Sequence, residues 1–330
     1  MLSHPLVRRA GRVALGALPA PARRWVRMRR RDAATRVVTL DELDGVLEEA
    51  AHCFSRSEDD GRAFLAGIRM APPPWPPDPF TSAYRRWAWD LYATVSGRGS
   101  YSVEHEASPF DFDEALRRPF PYATGSASVV GTDLVARGRI VAALGLTVPA
   151  RVVEFGPGWG NLTADLSTMG HDVTAVEVDE GFCRLIAARA PSAQVVRSGM
   201  LEFASAFAVV PTDEPFDAAV FYESFHHCAD HLQMLELLHA LVRADGVVVF
   251  GAEPVDALAY PWGPRLDGLS LWSTRRYGWL ELGFDERYFA DVLHRTGWSL
   301  EAVGAPGESP PVFVARSLRA EETVGGMVLP

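Results

Sequence analysis

Hydrophobic positions along this chain change texture partway. Thr39-Leu-Asp-Glu42 is a capping box, and Leu40, Leu43, Val46 and Leu47 follow at helical spacing up to Cys53, predicting a helix there. A second helix is expected over 60–70. Residues 71–79 hold six prolines and must form an extended connector. The aromatic-rich stretch 80–95 and the stretch 129–144 return to helical spacing, with 99–125 between them as ordered loop. From Arg151 onward, short β-branched runs alternate with helical ones, the mark of a parallel sheet with crossovers. Strands are expected at 151–155, 173–177, 193–197, 217–222, 246–252, 299–303 and 312–317, the last two as an edge hairpin behind a helix over 285–295. The fold class is therefore α/β, a seven-stranded sheet with an N-terminal helical cap. Three regions follow: 1–33, a cap over 34–120, and 121–330 with an insertion over 253–285.

Composition narrows the function. At 48% hydrophobic and 22% charged residues, the 330-residue chain can bury a large core. Its net charge of −10 hides an asymmetry, because residues 1–33 hold nine arginines against Asp32 alone. The arm thus carries +8 and the remainder −18, a body that repels phosphate backbones, so no nucleic acid is expected as partner. All 32 basic residues are Arg, read as genome composition. Cys53, Cys183 and Cys228 are widely spaced, which suggests neither a disulfide framework nor a zinc knuckle and fits a cytoplasmic protein. No apolar stretch in the arm is long enough to span a bilayer.

The strongest local signal is Val152-Val-Glu-Phe-Gly-Pro-Gly-Trp-Gly160. A strand running into alternate glycines and then a helix lets the backbone approach a ligand, with amides at the helix start facing it. Glycines at 156, 158 and 160 are too tightly spaced for the dinucleotide fingerprint, and Glu154 would repel a diphosphate while suiting a sulfonium or ammonium cation. Glu177, at the end of the second strand, can accept both hydroxyls of a ribose.

With these features in order, the chain resembles the class I S-adenosylmethionine-dependent methyltransferases over about 120–318. The match takes in the 154–160 loop, Glu177, Phe216-Asp217 opening the fourth strand, Glu223-Ser-Phe-His-His227 closing it, and Ala244-Asp-Gly246 before the fifth. The resemblance implies a Rossmann-like methyltransferase sheet and S-adenosylmethionine as cofactor. It places Glu154 and Gly156 beside the methionine moiety, Gly158 and Gly160 under the cofactor, Glu177 on the ribose and Val178 against the adenine. Glu223 is counted with the cofactor-binding residues. Met200 stands where the family often has an Asp for the adenine amino group, so it would cover the ring instead.

Methyl transfer to a hydroxyl needs alignment, dryness and a base, and imidazole suits the last. Phe225-His-His-Cys-Ala-Asp230 lines up with the segment of plant phenolic O-methyltransferases whose first His is the base. By that resemblance His226 is the first choice and His227 the second. The alternative is a divalent cation held by Glu223, His226 and His227, at i, i+3 and i+4 on one helical face; no metal is assigned. The Asn/Asp-Pro-Pro-Tyr motif of adenine- and glutamine-directed enzymes is missing.

The insertion 253–285 carries Tyr260, Trp272, Arg275, Arg276, Tyr277, Trp279 and Glu281, a mixture that can cradle a hydroxyl- or phosphate-bearing acceptor. The expected function is methylation of a small-molecule hydroxyl, on a sugar or glycoconjugate. The alternatives are a phenolic or polyketide acceptor, or nucleic acid through the basic arm.

Overall fold

Glu42 closes the capping box at the first helix, its carboxylate accepting from the Thr39 N–H at 2.9 Å and the Thr39 hydroxyl at 3.0 Å. The computed structural model describes residues 35–107, 110–118, 120–121, 124–209, 214–304 and 309–319, so the arm over 1–33 lies outside the described residues. In chain order the cap region contains β1 (Arg36–Val38), α1 (Leu40–Arg56), α2 (Glu58–Ala66), β2 (Ile68–Met70), α3 (Ser82–Ser96) and α4 (Phe112–Arg117). Then come α5 (Ala127–Leu144), β3 (Arg151–Phe155), α6 (Asn161–Met169), β4 (Asp172–Glu177), α7 (Glu180–Arg189), β5 (Gln194–Arg197), α8 (Met200–Val209) and β6 (Phe216–Tyr222). After a 3-10 turn at Phe225–His227 follow α9 (His231–Leu241), β7 (Val242–Gly251), β8 (Val255–Asp256), β9 (Trp262–Pro264) and α10 (Gly268–Tyr277). The chain continues through β10 (Leu282–Asp285), α11 (Glu286–Arg295), β11 (Glu301–Val303) and β12 (Val312–Ala315).

The main sheet has the order β11-β12-β7-β6-β3-β4-β5, all strands running one way except β12, which is antiparallel to both β7 and β11 and forms with β11 the edge hairpin read from the sequence. Its central strands are buried on both faces, as their continuous apolar runs require. The strand order reverses between β3 and β6, and this switch point is where open α/β sheets bind ligands at the carboxyl ends of their strands.

Three expectations need correction. Residues 68–70 are not the end of a helix. Gly67 caps α2, and Ile68–Met70 pairs in parallel with β1, a strand the sequence pattern did not show. The stretch 99–125 contains a 3-10 turn (Val103–Glu106) and α4, both too short to display a period. The insertion 253–285 is a folded unit with a three-stranded sheet of order β8-β10-β9 and the helix α10. Val46, Leu65, Ile68, Leu91, Tyr260 and Leu271 share one buried cluster, so the insertion is packed onto the cap helices. Among the described residues no helix is long and apolar enough to cross a membrane.

Candidate active site

A cavity of about 1330 Å³ opens above the carboxyl ends of β3, β4 and β6, roofed by the cap and the 253–285 unit. Gly156, Pro157, Gly158, Glu177, Val178 and Met200 line one end of it. Glu177 fixes the shape there. Its Oε2 accepts the Gly158 N–H at 3.0 Å, and its Oε1 accepts those of Val178 and Asp179 at 2.8 and 3.0 Å. Burial still outweighs these donors and raises its pKa above the ordinary carboxylate value. Oε1 is filled by its two donors, while Oε2, with one, keeps capacity for a further donor, which a ribose hydroxyl can fill. A Cβ built on Gly158 would meet nothing within 4 Å, so the loop presents bare backbone to open space, the cradle a cofactor needs.

Glu154, expected beside the methionine moiety, and Gly160, expected under the cofactor, are both off the cavity wall. Glu154 is 1% exposed and not on the cavity wall; its Oε2 accepts the Thr163 hydroxyl at 2.6 Å. Burial pushes this carboxyl up to about 7, with Thr163 opposing and Asp165 and Glu177 adding to it. Gly160 also stands off the wall, its Cα turned against Ile186 of α7. β3 ends at Phe155, so alternation turns Glu154 into the layer beneath the loop.

Glu223, His226 and His227 also line the cavity. Nδ1 of His226 lies 2.8 Å from Oε2 of Glu253. Glu253 itself is 1% exposed and accepts the backbone N–H groups of Ser224, Phe225 and His226 at 2.8, 2.8 and 3.1 Å. Burial opposes its charge, yet the His226 imidazole and these amides hold its pKa below the usual range. An ionised acceptor at Nδ1 makes that nitrogen the donor of the pair, while Nε2 lies 3.9 Å from Glu281 Oε2. In the sequence Glu253 marks only the start of the insertion, and nothing local ties it to His226.

His227 lies beside His226 with ring centroids 4.2 Å apart and the rings tilted by 39°, and its Nδ1 is 3.0 Å from Glu106 Oε2. Burial disfavours its charge, but Glu106 prevails and the imidazole is pushed up to about 9. Glu106 also accepts the Leu280 N–H at 2.9 Å, joining the cap, the insertion and the histidine turn. Glu223 is exposed to the cavity at a positive φ of 49°; desolvation by the walls around it and the charges of Glu253, Asp133 and Glu281 push its pKa up.

The expected cation-ligand trio is revised. His226 and His227 converge with Glu281, all three ligand atoms within 4.8 Å, and Glu223 is not part of the group. Residues 225–227 form a 3-10 turn that Glu223 precedes, so the i, i+3 face of an α-helix does not exist there.

Residues 153–250 match the family model described as a methyltransferase domain. An uncharacterized methyltransferase of Oceanobacillus iheyensis is 30% identical over 104 residues, 31% of this chain and 46% of that protein. The chain thus spans about half the length of the curated relative it matches. Among solved structures, the 1,6-didemethyltoxoflavin-N1-methyltransferase of Burkholderia thailandensis, with bound 1,6-didemethyltoxoflavin and S-adenosylhomocysteine, is 21% identical. That match covers 75% of this chain and 94% of the other, at a TM-score of 0.44. A putative O-methyltransferase of Nostoc punctiforme is 13% identical over 62% of this chain and 67% of its own, at 0.42. The matched stretch holds the glycine loop, Glu177 and the β3-to-β7 core of the seven-stranded sheet, and over residues 153–250 the chain is a class I S-adenosylmethionine-dependent methyltransferase domain.

Proposed function

We propose that this chain methylates a hydroxyl of a small molecule, a sugar or glycoconjugate, with His226 as the general base. One observation supports this above the rest: an imidazole tied through Nδ1 to a buried carboxylate lines the same cavity as the glycine loop. When bound, S-adenosylmethionine supplies an electrophilic methyl group on a sulfonium. Glu177 holds the ribose, Val178 and Met200 flank the adenine, and the bare backbone at Gly156 and Gly158 permits close approach. Nε2 of His226 accepts the acceptor's hydroxyl proton, and the carboxylates of Glu253 and Glu281 stabilise the imidazolium that results. Regions 34–120 and 253–285 supply the acceptor walls and keep water out, Phe54 and Trp272 meeting across them at 5.2 Å. Aromatic faces beside polar groups at Trp272, Tyr277 and Trp279 suit a saccharide. We infer a cytoplasmic site of action, where the three free cysteines stay reduced.

The reading is tested with isotopically labelled cofactor against pools of sugars and phenols. His226→Ala should lower turnover by about 10²- to 10⁴-fold while S-adenosylhomocysteine affinity is retained. An undiminished rate rejects the base. Glu177→Ala should weaken S-adenosylhomocysteine about tenfold or more, and equal affinity removes the ribose assignment. Turnover should survive dialysis against a chelator. Loss restored by a divalent ion would favour His226, His227 and Glu281 as a metal group instead.

A further inference from the structure

We infer that the acceptor carries an anionic group, a carboxylate or a phosphate, and that Arg276 binds it at the lid end of the cavity. The inference rests on the proposed hydroxyl methylation and adds the acceptor's second recognition point. Three arginines line the cavity: Arg62, Arg265 and Arg276. Arg62 is committed to Glu58 at 2.8 Å and Arg265 to Asp267 at 2.9 Å. Arg276 differs. Its guanidinium lies 4.9 Å from the Trp272 ring centroid and 5.7 Å from that of Tyr277, and no carboxylate among the described residues is within 4 Å of it. Its neighbour Arg275 anchors α10 to the cap, bonding both oxygens of Asp44 at 2.8 Å. In a chain with 42 acidic residues, a cavity-lining arginine without an acid is the exception.

A guanidinium resting on aromatic faces keeps its planar fork oriented, and its edge donors match two oxygens of a carboxylate or phosphate. The surroundings of the two histidines are the opposite in character, with Glu106 Oε2 3.0 Å from His227 Nδ1 and Glu281 Oε2 3.9 Å from His226 Nε2. An anionic group is repelled there and attracted at Arg276, so the charge pattern itself turns the acceptor's neutral hydroxyl toward His226. The cavity, about 1330 Å³, exceeds the usual range for a single small ligand, about 300–1,000 Å³, and has room for a cofactor beside such an acceptor.

The test measures binding to the full chain saturated with S-adenosylhomocysteine, by calorimetry. The probes are glucose, glucuronate and glucose 6-phosphate, with phenol and 4-hydroxybenzoate as a non-sugar pair. An anionic member should bind at least about tenfold more tightly than its neutral partner, weaken with added salt, and lose that preference in Arg276→Gln. Arg276→Lys should keep more of the preference for phosphate than for carboxylate, since the ammonium cannot form the fork. Preference in the phenol pair alone overturns the sugar reading and keeps the anion site. Equal binding within every pair, no binding by any probe, or a preference that survives in Arg276→Gln overturns the anion site. Unchanged S-adenosylhomocysteine affinity in both variants separates these outcomes from failure of the cofactor assignment.

Discussion

Nδ1 of His226 and Oε2 of Glu253 stand 2.8 Å apart across the ends of two neighbouring parallel strands. β6 and β7 are in register at Tyr222 and Gly251, so the residues just beyond each strand meet. Three backbone amides of the histidine turn converge on the same carboxylate and fix it as an acceptor. Glu253→Gln keeps the shape and removes the charge, and its amide can offer Nδ1 a donor, selecting the tautomer whose Nε2 already holds a proton. Turnover is expected to fall about 10²- to 10⁴-fold, with S-adenosylhomocysteine affinity within about twofold of wild type. An undiminished rate would show that the carboxylate only caps the turn.

That pair also marks the limit of what the sequence displayed. The glycine loop, Glu177 and the seven strands were legible because each is a local pattern, a β-branched run ending in glycines or an acid. Glu253 is 27 residues from His226 and its meaning comes from strand order; an acid two residues past the end of β7 was the available signal. Glu106 and Glu281 come from an irregular segment and from the insertion, where no period constrains direction. Glu154 shows the opposite case. Its place in the motif suggested a ligand contact, while the alternation of β3 turns it inward. The strand Ile68–Met70 was hidden by its three-residue length, since its partner β1 is equally short.

The buried Glu154 makes stability depend on pH in a defined direction. Its folded-state pKa, about 7, lies above the ordinary 4.5, so the folded chain holds this proton more tightly than the unfolded one. The contribution is therefore complete below about 4.5 and is lost as pH rises through about 7, by up to about 3 kcal/mol for a shift of this size. Glu154→Gln should keep the bond from Thr163 while removing the charge. Thermal melts of the cofactor-free protein at pH 5 and pH 8 should then show a smaller loss of Tm in the variant than in wild type. The same loss in both would mean that the carboxyl is ionised without penalty.

Gly158 and Gly160 separate ligand contact from packing within one loop. Both have positive φ, 50° and 67°, where an L side chain is strained by roughly 1–2 kcal/mol. A Cβ at Gly160 would also come within 2.9 Å of Ile186 Cγ1 and 3.4 Å of Ile186 Cα, forcing α7 away from the loop. At Gly158 it would meet no protein atom within 4 Å and would project into the crevice instead. Gly160→Ala should thus cost the more stability, about 1–3 kcal/mol beyond the backbone strain, seen as the larger fall in Tm. Gly158→Ala should weaken S-adenosylhomocysteine at least about tenfold for a smaller change in Tm, because the added methyl occupies the path of the ligand. If Gly158→Ala binds S-adenosylhomocysteine as tightly as wild type, the cofactor does not lie over this turn, and the roles assigned to Glu177 and Val178 fall with it.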